Sequence, residues 1–322
     1  MKIVMFSPHA NEAQFHVAMR DFPGVRFEIA RQSDELPAKL PGADILIAAN
    51  RTYEAGAAAH IRAHGDKLKW IAFTTSGIDK AVANGLPGGV VVTNLAGLRA
   101  FAVAEHALHL MLALLRQARR TEQAFARREW ARDELSAGMG NLAGRHLVLL
   151  GTGAIGQDIA RKAKAFDMRV TGISRSNAPL ANFDAIRPRA EFTSATGEAD
   201  FLVVAALADA STHQIVSRQI IAALPQRAFI VNIARGSLID KAALIEALRE
   251  KKIAGAALDV QEFEPVPAEH PLWTQDNLLL TPHVAGAGSQ GSGATHASMF
   301  ADNLRHWLAG EKLDKIVIER TP

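Results

Sequence analysis

The sequence predicts an α/β protein of two doubly wound domains, each a parallel sheet covered by helices on both faces. Three observations carry that expectation. Short apolar β-type runs alternate with helix-like segments along the chain; the series is interrupted once by a long apolar-rich helix at residues 101–117; and 322 residues exceed the length at which one hydrophobic core usually keeps growing.

In order, residues 2–7, 25–30, 44–49, 68–74 and 90–94 read as strands, with Ala-rich helix-like segments such as 53–63 between them. After the long helix and a loop around residues 141–145, a second series follows at 146–150, 169–174, 201–207, 228–233, 255–260 and 277–281. Beyond His283 a Gly/Ser/Ala-rich stretch leads into a helix at 294–308, with Gly310 in a C-cap position.

Bulk properties narrow the function classes. With 48% hydrophobic and 21% charged residues the composition is ordinary for a globular chain, which argues against disorder and fibres. No run approaches the ~18 apolar residues of a membrane span, and Ile3 to Phe6 is too short for a signal-peptide core. The absence of cysteine excludes disulfides, Cys-ligated zinc, iron–sulfur clusters and thiol catalysis, and suits a reducing cytoplasm; no metal site is expected. A net charge of +3 with interspersed signs argues against a nucleic-acid partner. The densest cationic stretch, residues 116–132, reads as a solvated or subunit-contacting helix face.

Gly151-Thr152-Gly153-Ala154-Ile155-Gly156 follows the run 146–150 and opens the helix-like 157–166, which returns to 169–174. In this βαβ setting Gly151 permits a tight turn, Gly153 lets the backbone approach a pyrophosphate, and Gly156 allows close helix–strand packing. Ala154 and Ile155 lie at the helix N-terminus that faces the anion. The pattern alone is weak in a chain with 24 glycines; its position makes it a dinucleotide site. At the end of the next strand, Ser174-Arg175-Ser176 stands where NAD enzymes usually place an acid on the ribose, and no acid occurs before Asp184. Arg175 can pair with a 2′-phosphate while Ser174 and Ser176 add hydroxyls, so NADP(H) is expected in preference to NAD(H). The plain alternative has Arg175 pointing into solvent.

Three segments place polar residues just after apolar runs, at the carboxyl edge where parallel sheets bind ligands. They are Asn232-Ile233-Ala234-Arg235-Gly236, Asp259-Val260-Gln261-Glu262-Phe263-Glu264-Pro265 and Thr281-Pro282-His283. Arg235 offers a planar fork for a carboxylate, His283 a proton donor and acceptor near neutral pH, and Glu264 a carboxylate that favours the charged ring and fixes its orientation. Taken singly, Arg235 reads as a surface charge, Glu264 as the start of a Pro-rich loop, and His283 as a core histidine. Their order after successive strands favours chemistry.

In these motifs the chain resembles the D-isomer-specific 2-hydroxyacid dehydrogenase family, and within it the NADPH-dependent glyoxylate/hydroxypyruvate reductases most. The Arg-Gly, Glu-Pro and Thr-Pro-His pairs occur in the family's order, and Val103-Ala104-Glu105-His106 and His270-Pro271-Leu272-Trp273 add to the match. The first seventy residues contribute only the alternating pattern. The resemblance implies a Rossmann cofactor domain, residues 98–285, inserted in a flavodoxin-like substrate domain, residues 1–97 plus 286–322, with catalysis in a closing cleft. It implies that Arg235 binds the substrate carboxylate, His283 is the acid/base and Glu264 its partner. Asp259, Ile233 and Ala206 would contact the cofactor, and the loop with Ser76 and Gly77 would meet the substrate through its backbone. A small 2-oxo or 2-hydroxy acid is the expected substrate, the D isomer the product, and a homodimer through the long helix the expected assembly.

Departures from the family pattern are Gln261 in place of an aromatic, Ala205-Ala206-Leu207 without the usual Pro, and Arg99, which either modifies the pocket mouth or caps the long helix. Other readings stay open. An NAD-dependent phosphoglycerate or other 2-hydroxyacid dehydrogenase is disfavoured for phosphoglycerate by the end of the chain at Pro322, and a formate dehydrogenase by Glu264, where those enzymes have Gln. Phosphite oxidation shares the triad. Of another class is an NAD(P)H-sensing interaction protein like the C-terminal-binding co-repressors, against which stands the lack of a long tail.

Overall fold

The computed structural model describes residues 1–6, 12–288 and 295–321. Its backbone divides into two units, Met1–Leu98 with Gln290–Pro322, and Arg99–Ser289.

The first unit is built on β1 (Lys2–Phe6), β2 (Arg26–Ala30), β3 (Ile45–Ala48), β4 (Trp70–Phe73) and β5 (Val91–Thr93), all parallel, in the spatial order β5-β4-β3-β1-β2. The strand Ile316–Ile318 adds antiparallel to β5 at the edge. Because side chains alternate across a strand, Ile3, Met5, Ile45, Ile47 and Trp70 join Phe300 and Leu304 of the helix His296–Ala309 in one core. Val4, Phe6, Leu46, Ala48, Ile71 and Phe73 join Tyr53 and Ile61 in the other. Each fully buried aliphatic or Phe side chain contributes about 1.5–3 kcal/mol, which is why the central strands are apolar at nearly every position. Trp70 stacks on Phe300 with ring centroids 5.2 Å apart and donates its indole N–H to Thr93 at 2.9 Å.

The second unit carries β6 (His146–Leu150), β7 (Arg169–Ser174), β8 (Ala185–Pro188), β9 (Phe201–Val204), β10 (Phe229–Asn232), β11 (Gly255–Leu258) and β12 (Leu278–Leu280). All pair in parallel, in the order β12-β11-β10-β9-β6-β7-β8. Leu147, Leu149, Phe201, Val203 and Val231 pack with Leu108 and Met111 of the helix Ala100–Leu115 and Ile159 of the helix Ala154–Ala165. Val148, Leu150, Leu202, Val204 and Ile230 form the opposite core with Ile221 and Leu244. The order reverses at β6, and a crevice beyond the carboxyl ends of the strands at such a switch point is where these sheets bind ligands.

The two parallel-sheet domains are as the alternation predicts. The cofactor-side helix starts at Ala154, inside the glycine motif, three residues before the expected 157. Two strands went unanticipated, β8 and Ile316–Ile318. Both are short edge strands, and Pro188 ends the first, so neither has the long apolar run of a central strand. The C-terminal helix is closed as expected by Gly310, with φ of 71°. Ser7, the last residue of the expected first strand, and Ala294, the first of that helix, lie outside the described residues. No described helix is long and apolar enough to cross a membrane.

Candidate active site

The glycine turn shows why each position is glycine. Gly151 has φ of 104°, and a Cβ there would lie 2.7 Å from the backbone of Ala205 and Ala206. A Cβ on Gly156 would lie 2.1 Å from the carbonyl oxygen of Gly151. Gly153 differs: nothing lies within 4 Å of its Cβ position, so the protein's own packing does not require glycine there. It is the N-cap of the helix Ala154–Ala165, exposed with Ala154, and offers no side-chain cap. An open backbone at a helix N-terminus suits the close approach of a pyrophosphate. Ala206 is half-buried, and Ile233 is buried in the core, 6% exposed.

At the end of β7 the Ser174 hydroxyl accepts from Thr152 Oγ1 at 3.1 Å and from the Ser176 N–H at 3.3 Å, tying the glycine turn to the strand end. Arg175 is exposed and makes no hydrogen bond or ion pair with the described residues. Asp184 is bound to Lys164 and to the Val170 N–H, at the opposite end of the same strand. Its carboxyl, held below the ordinary range chiefly by that backbone N–H, thus lies at the far end of the strand from Arg175.

Arg235, Glu264 and His283 stand on the loops after β10, β11 and β12. Buried Asn232 shapes the first: its Oδ1 accepts from the Ala234 N–H at 3.0 Å and its Nδ2 donates to the Arg235 carbonyl at 2.8 Å. Gly236 then packs directly on the next loop, where a Cβ would meet the Gln261 carbonyl carbon at 2.1 Å and the Glu262 nitrogen at 2.2 Å. Only glycine permits that approach, which sets the Arg235 loop against the Glu264 loop. Lys241 fastens the second loop from outside, 2.9 Å from Glu262 and 4.7 Å over the Phe263 ring. His283 Nδ1 lies 2.7 Å from Glu264 Oε2, and Glu264 Oε1 accepts the Gln261 N–H at 2.8 Å. The His283 side chain is 47% exposed, with Nδ1 turned to Glu264. Gln261 buries its Nε2 without a hydrogen-bond partner among the described residues.

Asp259, the expected cofactor contact, directly follows β11 and is bonded to the turn that carries His283. Its side chain has no exposed surface, and its carboxylate accepts from Thr281 Oγ1 at 2.6 Å and from the Val284 and Ala285 N–H groups at 2.9 Å each. His106 Nε2 lies 3.4 Å from the same carboxylate and 3.1 Å from Thr281 Oγ1. Burial opposes the charge, but these donors outweigh it and bring the carboxyl down to about 2. Asp259 therefore holds the His283 turn from within. Arg99 supplies the N-cap position of the Ala100 helix without a side-chain cap, and its side chain lies along Gly286, whose Cβ position is 3.1 Å from Arg99 Cδ.

Ser76 and Gly77 belong to the first unit, in the loop after β4, half-buried. Asn94 donates to the Ser76 carbonyl at 2.6 Å, and Thr75 Oγ1 donates to the Gly77 carbonyl at 2.9 Å while accepting the Asn50 N–H at 3.1 Å. The loop is thus braced through its carbonyls. Sequence reading missed these braces, as it missed Asn232, Thr281 and His106 in the other unit. The available signal was a polar residue at or beside the carboxyl end of an apolar strand, as at Asn94 and Asn232.

The sheet orders and the turn at Gly151 to Gly156 define a nicotinamide-nucleotide-binding α/β protein. Residues 108–285 match the family described as D-isomer specific 2-hydroxyacid dehydrogenase, NAD binding domain. The chain is 34% identical to the D-3-phosphoglycerate dehydrogenase of Methanocaldococcus jannaschii over 88% of its own length and 53% of that protein's, so it spans about half of that relative. It is also 34% identical to the glyoxylate reductase of Pyrococcus furiosus, over 69% of this chain and 67% of that one. A solved structure of a D-isomer specific 2-hydroxyacid dehydrogenase from Xanthobacter autotrophicus, in complex with NADPH and MES, superposes with a TM-score of 0.83 at 26% identity, covering 99% of this chain and 98% of that one. The chain belongs to the D-isomer specific 2-hydroxyacid dehydrogenase family, whose members are NAD(P)-dependent oxidoreductases.

Proposed function

We propose that the protein is a cytoplasmic reductase that converts a small 2-oxo acid of the glyoxylate or hydroxypyruvate type to the 2-hydroxy acid, D where the product is chiral, with NADPH preferred. The observation that carries the reading is the 2.7 Å contact between His283 Nδ1 and Glu264 Oε2, beside a loop that presents Arg235. Arg235 binds the substrate carboxylate through its guanidinium fork and orients the neighbouring carbonyl. With Nδ1–H donated to Glu264, the protonated ring is held in orientation, and the imidazolium gives its Nε2 proton to the carbonyl oxygen as the carbon is reduced, leaving the neutral Nδ1–H tautomer. A nicotinamide cofactor, when bound, would supply the hydride to that carbon. Gly151, Gly153 and the helix start at Ala154 and Ile155 would hold the pyrophosphate, and Ser174, Arg175 and Ser176 the 2′-phosphate. The open Cβ position of Gly153 and the acid-free end of β7 support this fit.

The assembly we propose is a homodimer. Trp130 and Phe125 are 93% and 79% exposed on the segment following the long apolar helix, a large apolar presentation that a second copy would cover. The molecular mass in solution by light scattering reads this directly. The activity is tested by following NADPH oxidation with glyoxylate, hydroxypyruvate, pyruvate and an aromatic 2-oxo acid, and by chiral analysis of the hydroxypyruvate product. Turnover fastest on the first two, with a D product, is expected. Absence of turnover on all four overturns the reading.

A further inference from the structure

We infer that His106, on the helix Ala100–Leu115, is a positioning residue for the reaction, acting through Thr281 and Asp259 on the turn that carries His283. Hydrogen-bond logic fixes the chain's direction. Thr281 has one hydroxyl proton, and at 2.6 Å it goes to Asp259 Oδ1, since the ionised carboxylate only accepts. The 3.1 Å contact between His106 Nε2 and Thr281 Oγ1 is then a bond only if Nε2 carries a proton and donates it. The same N–H lies within 3.4 Å of Asp259 Oδ1. His106 thus completes a one-way chain, His106 N–H to Thr281 O–H to the Asp259 carboxylate.

That carboxylate and its own main-chain carbonyl take the N–H groups of His283, Val284 and Ala285, at 2.8, 2.9 and 2.9 Å. His283 sits at φ of 54°, in the left-handed region that a non-glycine residue keeps only when its surroundings hold it there. His106, with a side chain 17% exposed, is the member of this chain that comes from outside the sheet-edge loops. Its loss leaves the Thr281 oxygen without its donor and the buried carboxylate with one neighbour fewer, so the imidazole of His283 is aimed less accurately. It touches no reacting atom.

This inference rests on the reading of His283 as the acid/base. The experiment compares kcat, KM and NADPH affinity of the parent chain with His106→Met, His106→Gln, Thr281→Val, the His106→Met/Thr281→Val double variant and His283→Gln. His106→Met is expected to lower kcat about tenfold while changing NADPH affinity less than about twofold. His106→Gln, which restores a donor, recovers kcat to within about threefold of the parent. Thr281→Val lowers kcat as much as His106→Met, and the double variant is no worse than Thr281→Val, because the chain is already broken. A His106→Met kcat within about twofold of the parent, a failure of Gln to rescue, or losses that multiply in the double variant each overturn the inference. If His283→Gln itself keeps parental activity, the acid/base reading falls and this inference with it. An inactive His283→Gln beside a fully active His106→Met overturns only the inference.

Discussion

The main-chain carbonyl of Asp259 accepts the N–H of His283 at 2.8 Å, while the carboxylate of the same residue accepts the next two N–H groups. One buried residue therefore templates three consecutive amides and holds His283 in a backbone region that costs ~1–2 kcal/mol outside glycine. Asp259→Asn replaces one acceptor oxygen with an amine that meets an N–H head-on. We expect kcat to fall at least about tenfold and stability near neutral pH to fall by on the order of 2 kcal/mol.

The pH dependence of that loss has a definite sign. The Asp259 carboxyl is lowered from the ordinary 3.8 to about 2 in the folded protein. A depressed carboxyl stabilises the fold fully above its unfolded value, and that contribution fades as pH falls through the folded one. Denaturation midpoints of parent and Asp259→Asn should therefore be separated by a constant amount above about pH 5 and converge between about pH 4 and 2. A separation that widens on acidification contradicts this placement of the carboxylate.

Gly236 is the joint between the Arg235 and Glu264 loops. Alanine there drives a methyl into the Gln261–Glu262 peptide, and overpacking of this kind costs about 1–3 kcal/mol. Because the loops must separate to relieve it, Gly236→Ala is expected to raise the KM for the 2-oxo acid and lower kcat together. A thermal melt and steady-state kinetics on one preparation check both, and an unchanged KM argues against the contact.

Gly151 and Gly153 separate packing from binding. Gly151→Ala meets the Ala205 and Ala206 backbone at positive φ and should lower the melting temperature by several degrees, as about 1–3 kcal/mol implies. Gly153→Val enters open space, so its melting temperature should stay near the parent's while NADPH binding weakens at least about tenfold. Calorimetric titration with NADPH reads the second effect, and undiminished affinity in Gly153→Val removes the pyrophosphate from this turn.

Arg175 and its serine neighbours stand at the end of β7 without a carboxylate in the same segment. Arg175→Ala should lower kcat/KM for NADPH about tenfold to a hundredfold and leave that for NADH within about threefold, since only the 2′-phosphate loses a charge-assisted partner. Equal losses with both cofactors would place Arg175 elsewhere.

The fold was legible because central parallel strands must be apolar on both faces, which made runs such as 146–150 and 201–204 plain in the sequence. The edge strands Ala185–Pro188 and Ile316–Ile318 lack that requirement and left little trace. The loops bearing Arg235, Glu264 and His283 were legible because each follows such a strand directly. What the sequence did not reveal was how the loops support one another. Asn232 and Thr281 look like ordinary strand-end polar residues until their partners are placed, within its own loop for Asn232 and on Asp259 and His106 for Thr281, and nothing in the sequence shows that Asp259 also binds the turn of His283. His106 is 153 residues from Asp259 in the chain, and no local pattern links a residue inside an apolar helix to a carboxylate that far away.

The most direct measurement is the kcat of His283→Gln for glyoxylate with NADPH, beside the parent and with cofactor affinity measured on both. We expect kcat to fall about a hundredfold or more at nearly unchanged NADPH affinity, the loss that removal of a general acid brings. A kcat within tenfold of the parent's would show that another group protonates the substrate oxygen and would contradict the assignment of His283.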